Sequence, residues 1–309
     1  MTLKKQILND KQNIISDVQQ LVRIPSVPNA AEPGMPFGYD MHNALKYVLD
    51  LAAKMGFKVR MLDGYCGYVE YGEGELYVGI LSHVDILDAG DMWVIPPFEG
   101  RIADNKIYGR GTMDNKGPLI AALYALKAVR DSGKKLNKKV RLIVGTDEER
   151  YYTDIKHYLQ LEKPPIAGFT LDGQFPVVYA EKGLSMNEYR GVFEQGDEER
   201  IVYIKSGKSE NTVPGYCEAY LRTERKDEIV NAISVFSREN RHNMSVRLVD
   251  DGVIIESYGM ETHSMALEMG INAIFPVISF LNKLHFGKGN TRRLITFLNN
   301  YLCFELYGE

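Results

Sequence analysis

Cysteine is scarce in this sequence. Cys66, Cys217 and Cys303 are its 3 cysteines in 309 residues, and no two of them form a CxxC pair. That speaks against a disulfide framework and against a cysteine-type zinc site. Long apolar runs are missing too, since none approaches the roughly 20 residues that a bilayer-spanning helix needs. The N-terminal stretch MTLKKQILNDKQ has no apolar segment of the signal-peptide kind. Together these point to a cytoplasmic protein with no membrane partner. Neither sign of charge dominates: 37 Lys and Arg against 41 Asp and Glu leave a net charge of -4, with no basic excess to attract nucleic acid. Internal repeats and low-complexity tracts are absent as well. What remains is an ordinary globular composition, 45% hydrophobic and 25% charged, sufficient for a sizeable core in one large domain or two smaller ones.

Periodicity sorts the chain into elements. Residues 3–22 read as one amphipathic helix, with Ile7, Ile14, Ile15, Val18, Leu21 and Val22 on one side. The Pro-rich IPSVPNAAEPG that follows is a loop. A second helix is expected from about Met41 to Met55, where Ala44, Leu45, Val48, Leu51 and Ala52 recur at helical spacing before Gly56. Three short runs, LYVGIL (76–81), VRLIVG (140–145) and IAGFTL (166–171), have the continuous apolar character of strands buried on both faces. A helical stretch at 119–131 lies between the first two. Strands alternating with helices imply parallel βαβ units and an α/β sheet. After Gly183 the pattern changes. MNEYRGVF, IVYIKSG, CEAYLRT, SVRLVDD and VIIESYGM read as antiparallel strands, with helices near 226–240, 264–284 and 292–305.

The acids fall where these strands end. His83 and Asp85 follow the first run, Glu148 and Glu149 the second, and Asp172 the third, while Asp114 lies in the loop GRGTMDNKGP just before a helix. In open α/β sheets ligands bind at the carboxyl ends of the strands. Carboxylates crowded there repel one another unless cations neutralise them. Oxygen donors with an imidazole suit a divalent ion of the zinc, manganese or cobalt kind, and an aspartate bridging two ions fits the two-metal hydrolase plan. Taken singly, each feature has a bland explanation. A lone histidine after a strand is ordinarily structural, and a Glu-Glu pair is ordinarily a solvated helix start. The metal reading rests on their joint occurrence at strand ends.

The string HVDILDAGDMW, PPFEG, YGRGTMDNKGP, GTDEE and FTLDGQFPVVYAEKG, in that order, resembles the M20 metallopeptidase family, and within it the dipeptidase V branch of Xaa-His or carnosinase-like dipeptidases. LVRIPSV, PFG and GYVEYGEGE match too, so the resemblance covers essentially the whole chain. It implies the N-terminal part of a parallel-sheet di-metal catalytic domain over 1–183 and the first part of an α+β lid domain over 184–309. It also implies roles. His83 and Asp172 would hold one metal, Glu149 the other, and Asp114 would bridge both. Glu148 would be the general base and Asp85 would orient the His83 ring. In the lid, Asn211 of KSGKSENTVP would contact substrate, and His263 of GMETHSMALEMGINA would stabilise the oxyanion. The cofactor implied is a pair of divalent ions, zinc first, with manganese or cobalt as alternatives; the substrate implied is a dipeptide. The chain departs from the family pattern at Asp88, where proline is usual, and at Asn115, where an aspartate usually follows the bridging acid. Met260 and Leu267 replace a common lysine and proline.

The resemblance also concerns length. Family members continue past this chain's last residue, complete the lid, and return to the catalytic domain with the remaining metal-binding histidine. None of His42, His83, His157, His242, His263 and His285 stands where that ligand is expected. The implied chain is C-terminally truncated, with one metal site incomplete, impaired or inactive alone, and given to self-association or to pairing with a separately encoded C-terminal half. Two other functions compete: an M20 deacylase of N-acyl amino acids, and a non-catalytic metal-binding remnant.

Overall fold

The computed structural model describes residues 2–90, 93–173, 176–180, 187–191, 199–208 and 212–303. The chain divides into two compact units, Met1–Glu181 and Lys182–Glu309. The architecture is α/β.

The first unit opens with α1 (Leu3–Asn9) and α2 (Lys11–Val22). The single helix expected over 3–22 is interrupted at Asp10. The Asp10 N–H closes the last turn of α1 onto Gln6 and Ile7, and its carboxylate accepts from Lys127 Nζ at 2.9 Å. Then come α3 (Tyr39–Lys54), β1 (Lys58–Leu62), β2 (Cys66–Tyr71), β3 (Tyr77–His83), a small hairpin of β4 (Arg101–Ala103) and β5 (Lys106–Tyr108), α4 (Gly117–Asp131), β6 (Lys139–Gly145), α5 (Thr153–Leu161) and β7 (Ala167–Thr170). The main sheet has the order β1-β2-β6-β3-β7. It is mixed rather than parallel throughout. β3 runs parallel to both β6 and β7, while β1, β2 and β6 pair antiparallel.

Side chains alternate across this sheet, as the two-residue strand period requires. Leu142 and Val144 of β6 face a core built from Val18, Leu21 and Val22 of α2, Leu45 and Val48 of α3, and Leu119, Ile120 and Leu123 of α4. Ile143 points the other way, into a smaller cluster with Tyr77 of β3 and Tyr158 of α5. Helices therefore cover both faces, which explains the unbroken apolar run of β6. β7 departs from that expectation. It lies at the sheet edge with β3 as its partner, and its residues are exposed, Phe169 at 55%.

The second unit carries a four-stranded antiparallel sheet of order β11-β12-β10-β8, made from β8 (Arg200–Ser206), β10 (Tyr216–Arg222), β11 (Asn243–Val249) and β12 (Gly252–Tyr258). A second pair joins β9 (Thr212–Val213) to β13 (Thr262–His263). Cys217, Ala219 and Leu221 of β10 and Val253 and Ile255 of β12 bury one sheet face against α6 (Lys226–Asn240), α7 (Ile274–Lys283) and α8 (Gly289–Tyr301). The intervening β10 residues Glu218 and Tyr220 occupy the opposite face. The helix expected over 264–284 is divided into a short helical turn, Ser264–Met269, and α7. Of the strand expected at MNEYRGVF, residues 187–191 carry none and the rest lie outside the described residues. Among the described residues no helix is long and apolar enough to cross a membrane.

Candidate metal centre

The candidate site lies at the carboxyl ends of β3, β6 and β7. The parallel register sets His83 beside Gly145 and Leu81 beside Thr170, so the residues that leave these three strands enter one region. His83, the last residue of β3, is 1% exposed. Its Nδ1 lies 3.1 Å from Asp85 Oδ1. Its Nε2 lies 3.2 Å from Asp114 Oδ1 and 3.2 Å from Asp172 Oδ2. Glu148 Oε2 stands 3.9 Å from the same nitrogen. Asp85 is fully buried, and its second oxygen accepts the Glu149 backbone N–H at 2.9 Å.

Two turns deliver the acids. Asp114 comes from the wide turn Thr112–Lys116, entered through Gly111 at φ 77°. A Cβ on Gly111 would stand 2.6 Å from Ile86 Cγ2, so the turn packs against Ile86, the residue after Asp85, only with glycine there. Glu148 and Glu149 come from the loop after β6. Asp154, fully buried in the first turn of α5, accepts the N–H groups of Thr146 at 2.7 Å and Asp147 at 3.0 Å. A Cβ on Gly145 would collide with that carboxylate. Tyr152, in the left-handed region at φ 54°, brings its hydroxyl back to donate to Glu148 Oε1 at 2.9 Å.

Behind these turns the segment Ile24–Ser26 acts as a common anchor. Buried Lys116 donates from Nζ to Ile24 O at 2.7 Å, Ser26 Oγ donates to Val84 O at 2.6 Å, and the Ile86 N–H donates to Ser26 O at 3.2 Å. Ser26, Lys116, Tyr152 and Asp154 were not singled out in the sequence. Two of them had a signal, Ser26 in LVRIPSV and Lys116 in YGRGTMDNKGP. Asp88, found where proline is usual, accepts the Gly90 N–H at 2.8 Å through its own side chain and so closes a turn there.

The electrostatics call for a cation. Burial works against charge on His83, yet hydrogen bonds to Asp114, Asp172 and Asp85 raise the imidazole far above its ordinary value. The hydrogen bond to His83 holds Asp172 below the usual carboxylate range. Glu149 is pushed up to about 8, by burial and then by the Asp114 charge. Glu148 is raised as well, by burial, against the lowering effect of His83 and Tyr152. A site whose acids cannot all ionise together, with an imidazole in their midst, fits a divalent ion. The donor atoms of His83, Asp114 and Asp172 lie within 4.8 Å of one another, and no other such group of three or more occurs among the described residues. Glu149 stands outside that group, although the resemblance makes it a ligand.

Of the two residues that the resemblance assigns to a lid, His263 lies on β13 opposite Thr212 of β9. Asn211, the residue before Thr212, lies outside the described residues. His157 donates from Nε2 to Asp63 Oδ2 at 2.9 Å and stacks on Tyr65.

Residues 79–247 match the description Peptidase family M20/M25/M40. The Bacillus subtilis (strain 168) protein named "Putative dipeptidase YtjP" is 35% identical over 297 residues, covering 94% of this chain and 64% of that protein. A Staphylococcus aureus (strain bovine RF122 / ET3-1) protein, also named a "Putative dipeptidase", is 33% identical over 315 residues, covering 99% of this chain and 66% of its own length. The chain thus spans about two thirds of the curated relatives it matches. Among solved structures, human carnosine dipeptidase 1 superposes with a TM-score of 0.51 at 13% identity, covering 93% of this chain and 78% of that one. That likeness concerns the fold.

Proposed function

The chain belongs to peptidase family M20/M25/M40, and from that premise we propose that it serves as a metal-dependent dipeptidase of the Xaa-His, carnosinase-like branch. The observation that carries the proposal is the convergence of Asp114 and Asp172 on His83 Nε2, each at 3.2 Å, with Glu148 at 3.9 Å. The names of the relatives supply the substrate class, a dipeptide.

His83, Asp114 and Asp172 would hold one divalent ion, zinc first, with manganese or cobalt as alternatives. Asp114 would be shared with a second ion at Glu149. Ions bound there would polarise the peptide carbonyl and make a water molecule more acidic. The remaining work falls to side chains. Asp85 keeps its carboxylate on His83 Nδ1 and so presents Nε2 to the ligand side. Glu148 takes the proton of the attacking water on Oε2, the oxygen turned toward His83, and returns it to the leaving amine. Its other oxygen is occupied by the Tyr152 hydroxyl, which restricts the carboxylate to that orientation. On the resemblance alone, His263 keeps the role of oxyanion donor and Asn211 that of substrate contact.

The test is a comparison of substrates with the purified chain, supplied in turn with zinc and manganese. Faster cleavage of an Xaa-His dipeptide than of an N-acetyl amino acid is the expected result. The reverse order would replace the proposal with the N-acyl amino acid deacylase. Tight metal uptake with no turnover of either substrate, unchanged when a C-terminal third from a relative is supplied, would replace it with the non-catalytic metal-binding remnant.

A further inference from the structure

The strand period that buries one face of the second unit's sheet turns the intervening residues to its other face. Register arranges them in rows across the four strands. Tyr216 of β10 stands opposite Tyr258 of β12. In the next row Glu218 stands opposite Glu256, flanked by Lys205 of β8 and Ser245 of β11. In the row after it Tyr220 stands opposite Tyr203 of β8 on one side and Ile254 of β12 on the other. A pair of glutamates thus lies between two pairs of tyrosines. The ring centroids are 5.5 Å apart for Tyr216 and Tyr258 and 5.7 Å apart for Tyr203 and Tyr220. Tyr216 and Tyr258 are 41% and 42% exposed.

Like charges directly opposite each other on neighbouring strands are destabilising. Only neutral donors reach this pair among the described residues. Glu218 accepts from the Tyr203 hydroxyl. The Tyr216 hydroxyl lies between the carboxylates, 3.0 Å from Glu256 Oε1 and 3.4 Å from Glu218 Oε2. Ser245 Oγ donates to Glu256 Oε2 at 3.1 Å. The cations of this face are placed elsewhere. Arg222 is paired with Asp251 at 2.6 Å, and Arg247 stands in the next row, opposite Ile254. Lys205, directly opposite Glu218, has its Nζ over the Tyr203 ring at 4.5 Å. A ring of this face therefore already accommodates a cation.

We propose that this face docks an extended segment of a partner protein that presents an arginine, whose guanidinium stacks on the Tyr216–Tyr258 ring pair and donates to Glu218 and Glu256. Charge complementarity calls for the cation, since two carboxylates stand side by side with no ion-pair partner among the described residues. The rings select arginine over lysine. A planar guanidinium stacks on an aromatic face and donates in parallel to carboxylate oxygens, which a compact ammonium does not. The hydroxyls of Tyr203, Tyr216 and Ser245 already hold both carboxylates, so little ordering is left for the moment of binding. Tyrosine and arginine are also the residues on which interfaces concentrate their affinity. No bond is made or broken, and the role is independent of the metal centre in the first unit.

The test is fluorescence anisotropy of the 309-residue chain with a labelled, end-capped peptide of alternating arginine and glycine. Matching peptides carry citrulline, the uncharged isostere, or lysine. Saturable binding of the arginine peptide is expected, about 10–100-fold weaker with citrulline and several-fold weaker with lysine. Glu218→Gln combined with Glu256→Gln should weaken binding about 10–100-fold, and Tyr216→Leu several-fold. Glu73→Gln combined with Glu75→Gln, two exposed acids of the turn between β2 and β3, changes the net charge equally and should leave affinity unaltered. Absence of saturable binding by the wild-type chain overturns the proposal, as does equal binding of the citrulline or the lysine peptide; none of these comparisons requires a variant to fold. Equal losses in the two glutamate pairs overturn it too, because that is the pattern of attraction between net charges. Sedimentation in which the wild-type chain self-associates and the Glu218→Gln, Glu256→Gln variant does not would assign the face to a second copy instead.

Discussion

Asp85 holds the His83 ring and the Glu149 backbone at once. One of its oxygens lies 3.1 Å from His83 Nδ1, and the other accepts the Glu149 N–H at 2.9 Å. A single buried carboxylate thus registers the end of β3 against the loop after β6. Asp85→Asn places an amide where both neighbours need an acceptor. Metal affinity is expected to fall about 10–100-fold, as for other partners of ligating histidines. Titration with Zn²⁺ checks this, and unchanged affinity would remove Asp85 from the orienting role.

Glu148 and Glu149 are adjacent in sequence but differ in their surroundings. Glu148 faces His83 Nε2 at 3.9 Å and is held by Tyr152, whereas Glu149 feels the charge of Asp114. Glu148→Ala should lower turnover by about 10²–10⁴-fold, the range of a general base, with metal affinity nearly intact. Glu149→Ala should weaken metal binding as well. Parallel kinetics and metal titration of the two variants separate the roles. Near-normal turnover in Glu148→Ala would show that another group takes the proton.

Much of the first unit could be read from hydrophobic pattern because burial there is extreme. β3 and β6 lie inside the sheet and have no exposed face to break their apolar runs. β1 escaped notice for the opposite reason: Lys58, Val59 and Arg60 are exposed, and such a strand carries little pattern. Its pairing, and the antiparallel sense it gives the sheet, had no local signal. The cluster of His83, Asp114 and Asp172 was legible because His83 and Asp172 stand at strand ends and Asp114 in a glycine-flanked turn before a helix. Tyr152 and Asp154 were not, since each acts by folding back on a residue of the same loop. The left-handed conformation of Tyr152 cannot be inferred from a residue type that rarely adopts it. The partner of the buried Asn115 amide, Ser82, is likewise a strand residue 33 positions away.

Arg141 of β6 is the hub of the sheet's other buried polar cluster. It is 7% exposed, donates to Glu70 at 2.6 Å and Glu162 at 2.8 Å, and lies over the rings of Tyr68 and Tyr77. Arg141→Met removes one partner from each of two largely buried carboxylates, leaving Glu70 to Lys139 at 3.3 Å and Glu162 to Arg60 at 2.7 Å. A loss of about 1–3 kcal/mol is expected, the range for a buried polar group that loses a hydrogen-bond partner. Urea denaturation of the metal-free chain measures it. A loss below about 1 kcal/mol would place this cluster with solvent-screened pairs.

Lys116 makes folding sensitive to pH. Burial pulls its amine down to about 7, with Asp85 opposing, whereas an unfolded lysine titrates near 10.4. Between those values the unfolded chain holds a proton that the folded chain has shed, so this residue makes stability rise with pH. Its penalty is fully present below the folded value and disappears above the unfolded one. The stability of wild type minus that of Lys116→Met should therefore grow as pH is raised from about 7 to about 9.5. Denaturant titrations in chelator give the difference at each pH, and a flat or falling difference would contradict the assignment.

The Ile24–Ser26 anchor bears on timing. It is held by partners 58 residues away at Val84 and 92 residues away at Lys116. Each contact closes a long loop, and the entropy of that closure is lost before the contact returns anything. The helices can form from local interactions alone, but the ligand-bearing turns have no fixed places until α2, β3 and the Thr112–Lys116 turn have come together. During refolding the far-ultraviolet helical signal should therefore recover first, and the capacity to take up an ion should trail it.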